Sequence, residues 1–172
     1  MRRMIGPADD PTRLQQAHDF AKLYHADQRR KDGSTVFAHA LAVTENLRDA
    51  GVRDVDVLIA GLLHDVVEQT PVTTAEIEAR FGPRVSTLVE AVTCLPGMST
   101  EESALRAAAA GEDALLLRLC DRLDGVRRSV GRPPEDARRF RAEARRVHLP
   151  IARERFPEVA RALEEALEAC EG

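Results

Sequence analysis

Along most of the chain, apolar residues recur every three or four positions, the spacing that lays one face of an α-helix against a core. Leu14, Ala17, Ala21 and Tyr24 follow it and predict a first helix from Pro11 or Thr12 to about Gln28. Residues 29–34 are polar, contain Gly33 and read as a loop. Phe37, Leu41, Thr44 and Leu47 mark a second helix running towards Ala50, and Gly51 ends it. Asp54 suits the N-cap of a third, whose Val55, Leu58, Ile59, Leu62, Leu63 and Val66 cover most of its circumference. A helix apolar nearly all round belongs in the middle of a fold. It is expected to stop before Pro71.

Thr73 or Thr74 then caps a short helix, with Glu76 placed to complete a capping box with Thr73. Phe81-Gly82-Pro83 divides it from another over roughly residues 84–93. Residues 95–100, with Pro96 and Gly97, read as the mobile loop. An alanine-rich helix to Ala110 follows, then Gly111, then a strongly apolar helix with Leu115, Leu116, Leu119, Leu123 and Val126. Pro133-Pro134 opens the next, and the last starts at Pro157 with Val159, Leu163, Leu167 and Cys170 at core spacing. There is no repeat and no internal boundary. The expected architecture is all-α: one compact bundle of about eight to ten helices over residues 11–172, after a flexible arm over residues 1–10.

Composition agrees. The 172 residues suit one ordinary domain, and with 3% aromatics and no Trp the core must be Leu, Val, Ile and Ala, which favours packed helices over a β-sandwich. A net charge of −4 argues against nucleic acid as a partner of the whole chain. Arginines do cluster at residues 29–31 and 138–146, the second reading as a solvated helix face. Cys94, Cys120 and Cys170 are too scattered for a disulfide framework or a paired-cysteine zinc site, which fits a reducing cytosol. No targeting segment is visible, and the longest apolar run, residues 57–63, falls far short of the ~20 needed to cross a bilayer. A cytoplasmic protein without membrane contact is expected; the pattern does not speak to oligomeric state.

The chemistry lies where polar residues interrupt apolar helices. His64 and Asp65 break an otherwise hydrophobic run, Asp121 lies between Leu119 and Leu123, and His39 lies beside Phe37 and Leu41. A buried charge must be paired or bound to metal. Two histidines and two aspartates on three apolar helices point to one divalent ion held by His39, His64, Asp65 and Asp121. Such ligands favour Mn²⁺, Fe²⁺, Co²⁺ or Zn²⁺. Glu68, one turn after His64, is the candidate acid–base group, and Gln69, one turn after Asp65, can hydrogen-bond but not titrate.

His39, then His64-Asp65, then Asp121 resembles the pattern of the HD-domain phosphohydrolases. More narrowly, the chain resembles the hydrolase domain of RelA/SpoT-type enzymes and stand-alone small alarmone hydrolases over about residues 14–155. The stretch from His25 through Gln28-Arg29-Arg30-Lys31-Asp32-Gly33 is similar to the family's substrate loop. His64-Asp65-Val66-Val67-Glu68-Gln69-Thr70 is similar to its signature, and Phe81-Gly82, Ala91-Val92-Thr93 and Cys120-Asp121-Arg122-Leu123 follow in order. The resemblance implies Mn²⁺-dependent hydrolysis of the nucleotide (p)ppGpp at its 3′ position, giving GDP or GTP and pyrophosphate, with Arg30 and Lys31 flanking the base.

The chain departs from that pattern at several positions. Gln69 stands for an aspartate, Asp124-Gly125 for His-Asn, Val36 for Tyr, Ala40 for Pro, and Arg128 for a substrate-contacting Thr. Asp124 is one turn from Asp121, a second carboxylate behind the metal, and Arg127 and Arg128 are candidates to neutralise phosphate. Two other readings stay open: hydrolysis of another nucleotide such as NADPH, and a weakly catalytic guanine-nucleotide-binding module.

Overall fold

The computed structural model describes residues 11–171, so the arm expected over residues 1–10 lies outside the described residues. The apolar periodicity becomes α1 (Pro11–His25), α2 (Val36–Asp49), α3 (Val55–Leu63), α4 (Val66–Gln69), α5 (Thr74–Phe81), α6 (Pro83–Val92), α7 (Thr100–Ala110), α8 (Glu112–Arg127), α9 (Pro134–Glu143), α10 (Leu149–Arg155) and α11 (Pro157–Ala169). Among the described residues no strand forms beyond a single bridge between Arg29 and Thr35, so the all-α reading holds.

Two helical stretches are interrupted. The third helix does not run unbroken towards Pro71: it ends at Leu63, turns at His64-Asp65, and resumes as α4. Between α9 and α10 the chain widens into a π-helical turn, Ala144–His148. Such turns are frequent where a helix passes a functional site.

Local chemistry explains the starts. The Asp54 side chain accepts the Asp56 N–H at 2.9 Å, and Thr73 Oγ1 accepts that of Glu76 at 3.2 Å. The Glu76 carboxylate turns to Arg80 instead of returning to Thr73. A reciprocal capping box does form elsewhere, between Ser99 and Glu102 at the head of α7. Gly82, at φ +98°, ends α5 in a conformation that only glycine adopts freely, and Pro83 begins α6.

The core is aliphatic, as composition requires. Every residue of α3 except Asp56 is buried, and Leu115, Leu117 and Leu119 of α8 are fully enclosed. Each such leucine contributes roughly 1.5–3 kcal/mol of transfer free energy. The buried face of α2 keeps the expected Thr44 and Leu47 but also holds His39, Ala40 and Val43, whereas the expected Leu41 is 36% exposed. Helices α2 and α3 meet closely at Gly61, where an added Cβ would lie 2.8 Å from Leu47 Cδ1 and 3.1 Å from Thr44 Oγ1. That contact holds two polar helix ends face to face. Among the described residues, no helix is long and apolar enough to cross a membrane.

Candidate metal centre

Helix α2 brings His39, the α3–α4 turn brings His64 and Asp65, and α8 brings Asp121. The two imidazoles meet edge to face, ring centroids 5.0 Å apart, with their Nε2 atoms 3.2 Å from each other. His64 Nδ1 donates to the Gly61 carbonyl at 2.8 Å, an acceptor that the end of α3 leaves free. His39 Nδ1 donates to Asp124 Oδ2 at 2.6 Å. With both Nδ1 hydrogens committed outward, each Nε2 faces the centre, where it can give a proton to Asp121 or, once deprotonated, a lone pair to an ion.

Carboxylates complete the ring. Asp121 Oδ1 is 3.0 Å from His39 Nε2 and 3.6 Å from His64 Nε2. Asp65 Oδ2 is 3.5 Å from His64 Nε2 and 3.8 Å from His39 Nε2, and it is buried with no hydrogen-bond partner. Ligand atoms of His39, His64 and Asp121 all fall within 4.8 Å of one another. When no ion lies among them, it is the protons on the imidazoles that offset the two carboxylate charges. Burial alone lowers the pKa of His64, but the charges of Asp65 and Asp121 and the hydrogen bond to Asp121 push it up to about 9. Burial alone raises Asp121, yet its hydrogen bonds to His39 and His64 hold it well below the usual carboxylate range. The ring thus stabilises positive charge, and its donor set fits a divalent ion.

Supporting groups fix these ligands. Arg118, 7% exposed, donates to the other Asp121 oxygen at 2.8 Å and to the Val92 carbonyl. The sequence signalled it, a charge among Leu117, Leu119 and Cys120 one turn before Asp121, yet only the aspartate was singled out. Asp124 backs His39, and its Oδ2 also accepts from Arg128 Nε at 2.6 Å. Arg128 is therefore engaged with Asp124 and, at 3.4 Å, with the Ala38 carbonyl. Arg127 turns the other way and donates to Asn46.

Glu68 sits at the rim, where its carboxylate accepts the Cys94 N–H at 3.0 Å. Partial burial and the charges of Asp65 and Asp121 raise its pKa, against that hydrogen bond. Gln69 is exposed, and its backbone carbonyl accepts from Gln28 Nε2 at 3.1 Å. In the basic loop, Arg30 turns inward, its Nη1 3.7 Å from Asp65 Oδ2. Lys31 turns outward to Asp136 at 2.8 Å. His25 and His148, both fully buried, were not anticipated: His25 Nδ1 pairs with Gln28 at 2.7 Å, while His148 has no partner on either nitrogen. A groove of about 180 Å³ between α1 and α2 is lined by none of these residues.

The helical frame and the His–His–Asp cluster define an HD domain, and the chain belongs to the HD-domain family, whose model matches residues 17–155. It is 38% identical over 125 residues to a guanosine-3′,5′-bis(diphosphate) 3′-pyrophosphohydrolase of Mus musculus, covering 69% of this chain and 70% of that one. The enzyme of the same name from Aquifex aeolicus is 35% identical over 146 residues, 81% of this chain and 21% of the relative. The bifunctional (p)ppGpp synthase/hydrolase SpoT of Escherichia coli is 31% identical, over 85% of this chain and 22% of that protein. The chain thus spans about a fifth of the length of these bacterial relatives. A solved metazoan ortholog of SpoT, which hydrolyses ppGpp and plays a role in starvation responses, superposes with a TM-score of 0.82 at 28% identity, covering 93% of this chain and 96% of that one.

Proposed function

We propose that the chain hydrolyses the 3′-diphosphate of (p)ppGpp, a free nucleotide of the cytoplasm, to give pyrophosphate and GDP or GTP. The observation that carries this reading is the convergence of His39 Nε2, His64 Nε2 and Asp121 Oδ1 around the bare, buried Asp65 Oδ2. The relatives that bear this activity in their names support it. His39, His64, Asp65 and Asp121 would hold one Mn²⁺, and the bound ion supplies Lewis-acid activation of water and of a phosphoryl oxygen.

The remaining work falls to this chain's own side chains. The water oxygen bonds to the phosphorus on O3′, the O3′–P bond breaks, and the 3′-oxygen takes a proton from solvent to leave as the hydroxyl. Glu68 takes the water's proton, its burial making it a stronger base than an exposed carboxylate. Gln69 cannot titrate, so proton transfer rests on Glu68 alone. Arg30, nearest of the loop's basic groups to Asp65, meets phosphate charge, and Lys31 reaches the nucleotide from the rim. Arg128 acts through Asp124 to orient His39.

Product analysis after incubation with Mn²⁺ and ppGpp, NADPH or GTP tests this. Pyrophosphate and GDP from ppGpp are expected. Phosphate from NADPH with ppGpp untouched moves the substrate. Tight guanine-nucleotide binding without turnover replaces the enzyme reading with a binding module.

A further inference from the structure

Around the metal centre, four arginine nitrogens are buried and without a hydrogen-bond partner: Arg30 Nε, Arg118 Nε, Arg122 Nη1 and Arg132 Nε. Buried N–H groups are almost always bonded, and each exception calls for a reason. Arg122 lies on α8 and Arg132 beyond the turn that follows it, yet both guanidinium carbons lie 4.1 Å from the centroid of the Phe140 ring. Cation–π attraction anchors both like charges to the one ring. Phe140 reaches them only because residue 125 is glycine: a Cβ there would lie 2.6 Å from the ring.

The nearby carboxylates do not satisfy these cations. Arg122 is 3.8 Å from Glu143, and Arg30 is 3.9 Å from Asp32 and 3.7 Å from Asp65, all beyond hydrogen-bond length. Arg30 is also among the charges acting on Arg132, so the loop arginine and the Phe140 pair face a common region next to Asp121. Unsatisfied guanidinium groups gathered beside a nucleotide-cleaving centre are what phosphate oxygens bind best.

We propose that Arg122 and Arg132, set in place by Phe140, form with Arg30 an anion seat beside the metal centre, which takes a second phosphate group of the nucleotide, one that is not cleaved. This rests on the reading of the chain as a nucleotide phosphohydrolase. The seat assigns the 5′-diphosphate to protein contacts outside the metal ring. Phe140 is a positioning residue in it, and Gly125 is the space that admits the ring.

Two measurements decide the matter. Steady-state kinetics compare ppGpp with an analogue that keeps the 3′-diphosphate but carries a free 5′-hydroxyl. Arg132→Gln, at a part-exposed position, should raise KM for ppGpp about tenfold or more with kcat little changed, and leave the analogue untouched. Phe140→Leu should act in the same direction. Equal losses on both substrates, or none, overturn the seat. Calorimetry with inorganic pyrophosphate on metal-free protein gives an independent arm: binding should weaken about tenfold in Arg132→Gln and persist in His64→Ala. Binding that survives Arg132→Gln and vanishes in His64→Ala puts the anion in the metal ring and also overturns the seat. If the unmodified protein turns over neither nucleotide, the hydrolase reading fails while the pyrophosphate arm still tests the seat.

Discussion

Replacing Asp124 with Asn removes a charge that two groups share. Its Oδ2 lies 2.6 Å from both His39 Nδ1 and Arg128 Nε. An amide oxygen in the place of Oδ2 can still accept from both, but without the negative charge, and His39 loses the carboxylate that fixes its tautomer. Changes to such supporting partners typically cost 10–100-fold in metal affinity. With free metal at 100 times the Kd, binding stabilises the fold by about 2.7 kcal/mol; a hundredfold loss leaves about 0.4 kcal/mol. At roughly 2–4 °C per kcal/mol for a domain of this size, the metal-dependent rise in Tm should shrink by about 5–9 °C. The metal-free protein loses less, about 1–2 kcal/mol, because Arg128 is 26% exposed and can turn to water once unpaired. Thermal melts with Mn²⁺ and with chelator, at matched protein concentration, separate the two effects. If Asp124→Asn keeps the full metal-dependent rise in Tm, Asp124 does not orient His39, and the account of the ring's donor geometry is wrong.

Glu68→Gln should keep the metal and lower turnover by roughly 10²-fold or more. Because the Glu68 carboxyl titrates above its ordinary value, the basic form is lost as pH falls through that raised value, so the variant should also lack the acid limb of the pH–rate profile. Gly125→Ala should cost about 1–3 kcal/mol by driving a methyl into the Phe140 ring, and Phe140→Leu in the same chain should relieve part of it; additive losses in denaturant melts would contradict the contact. Burial, with the charges of Arg122 and Arg118, pushes His148 down to about 3. Below pH ~6.5 the unfolded chain therefore takes up a proton that the folded one refuses. Stability from this group is complete above that pH and falls by up to ~1.4 kcal/mol per unit as pH drops towards 3. His148→Leu should flatten that slope in urea midpoints between pH 7 and 5, and an unaltered slope would assign the acid sensitivity to other groups.

Much of the fold could be read along the chain because local rules govern it. The Asp54 and Thr73 caps, the glycine stop at Gly82 and the aliphatic stripe of α8 are decided within a turn or two of themselves. His64, Asp65 and Asp121 stood out because charge interrupts an apolar run, a contrast that needs no knowledge of neighbours. What pairs with what did not stand out. His39 and Asp124 are 85 positions apart, and no periodicity reports that their side chains meet. Arg128 resembled a substrate contact by its place in the motif, but its partner Asp124 is fixed only by the fold. The turn at His64-Asp65 was hidden because the residues on either side are helical in character. Gly125 resembled a loss, a missing Asn, until Phe140 from another helix filled its place.

The close approach at Gly61 bears on which ion the protein accepts. His39 and His64 ride on the two helices that touch there, so the separation of their nitrogens is set by a residue with no side chain. A methyl group at that position must push Leu47 or Thr44 aside by a few tenths of an ångström, and with them the helix that carries His39. Bond lengths to different divalent ions differ by a similar amount. Drift at Gly61 would therefore alter the protein's choice of ion while leaving its architecture intact, and a lineage could change its dependence on the metals available to it through one buried position that touches neither ion nor nucleotide.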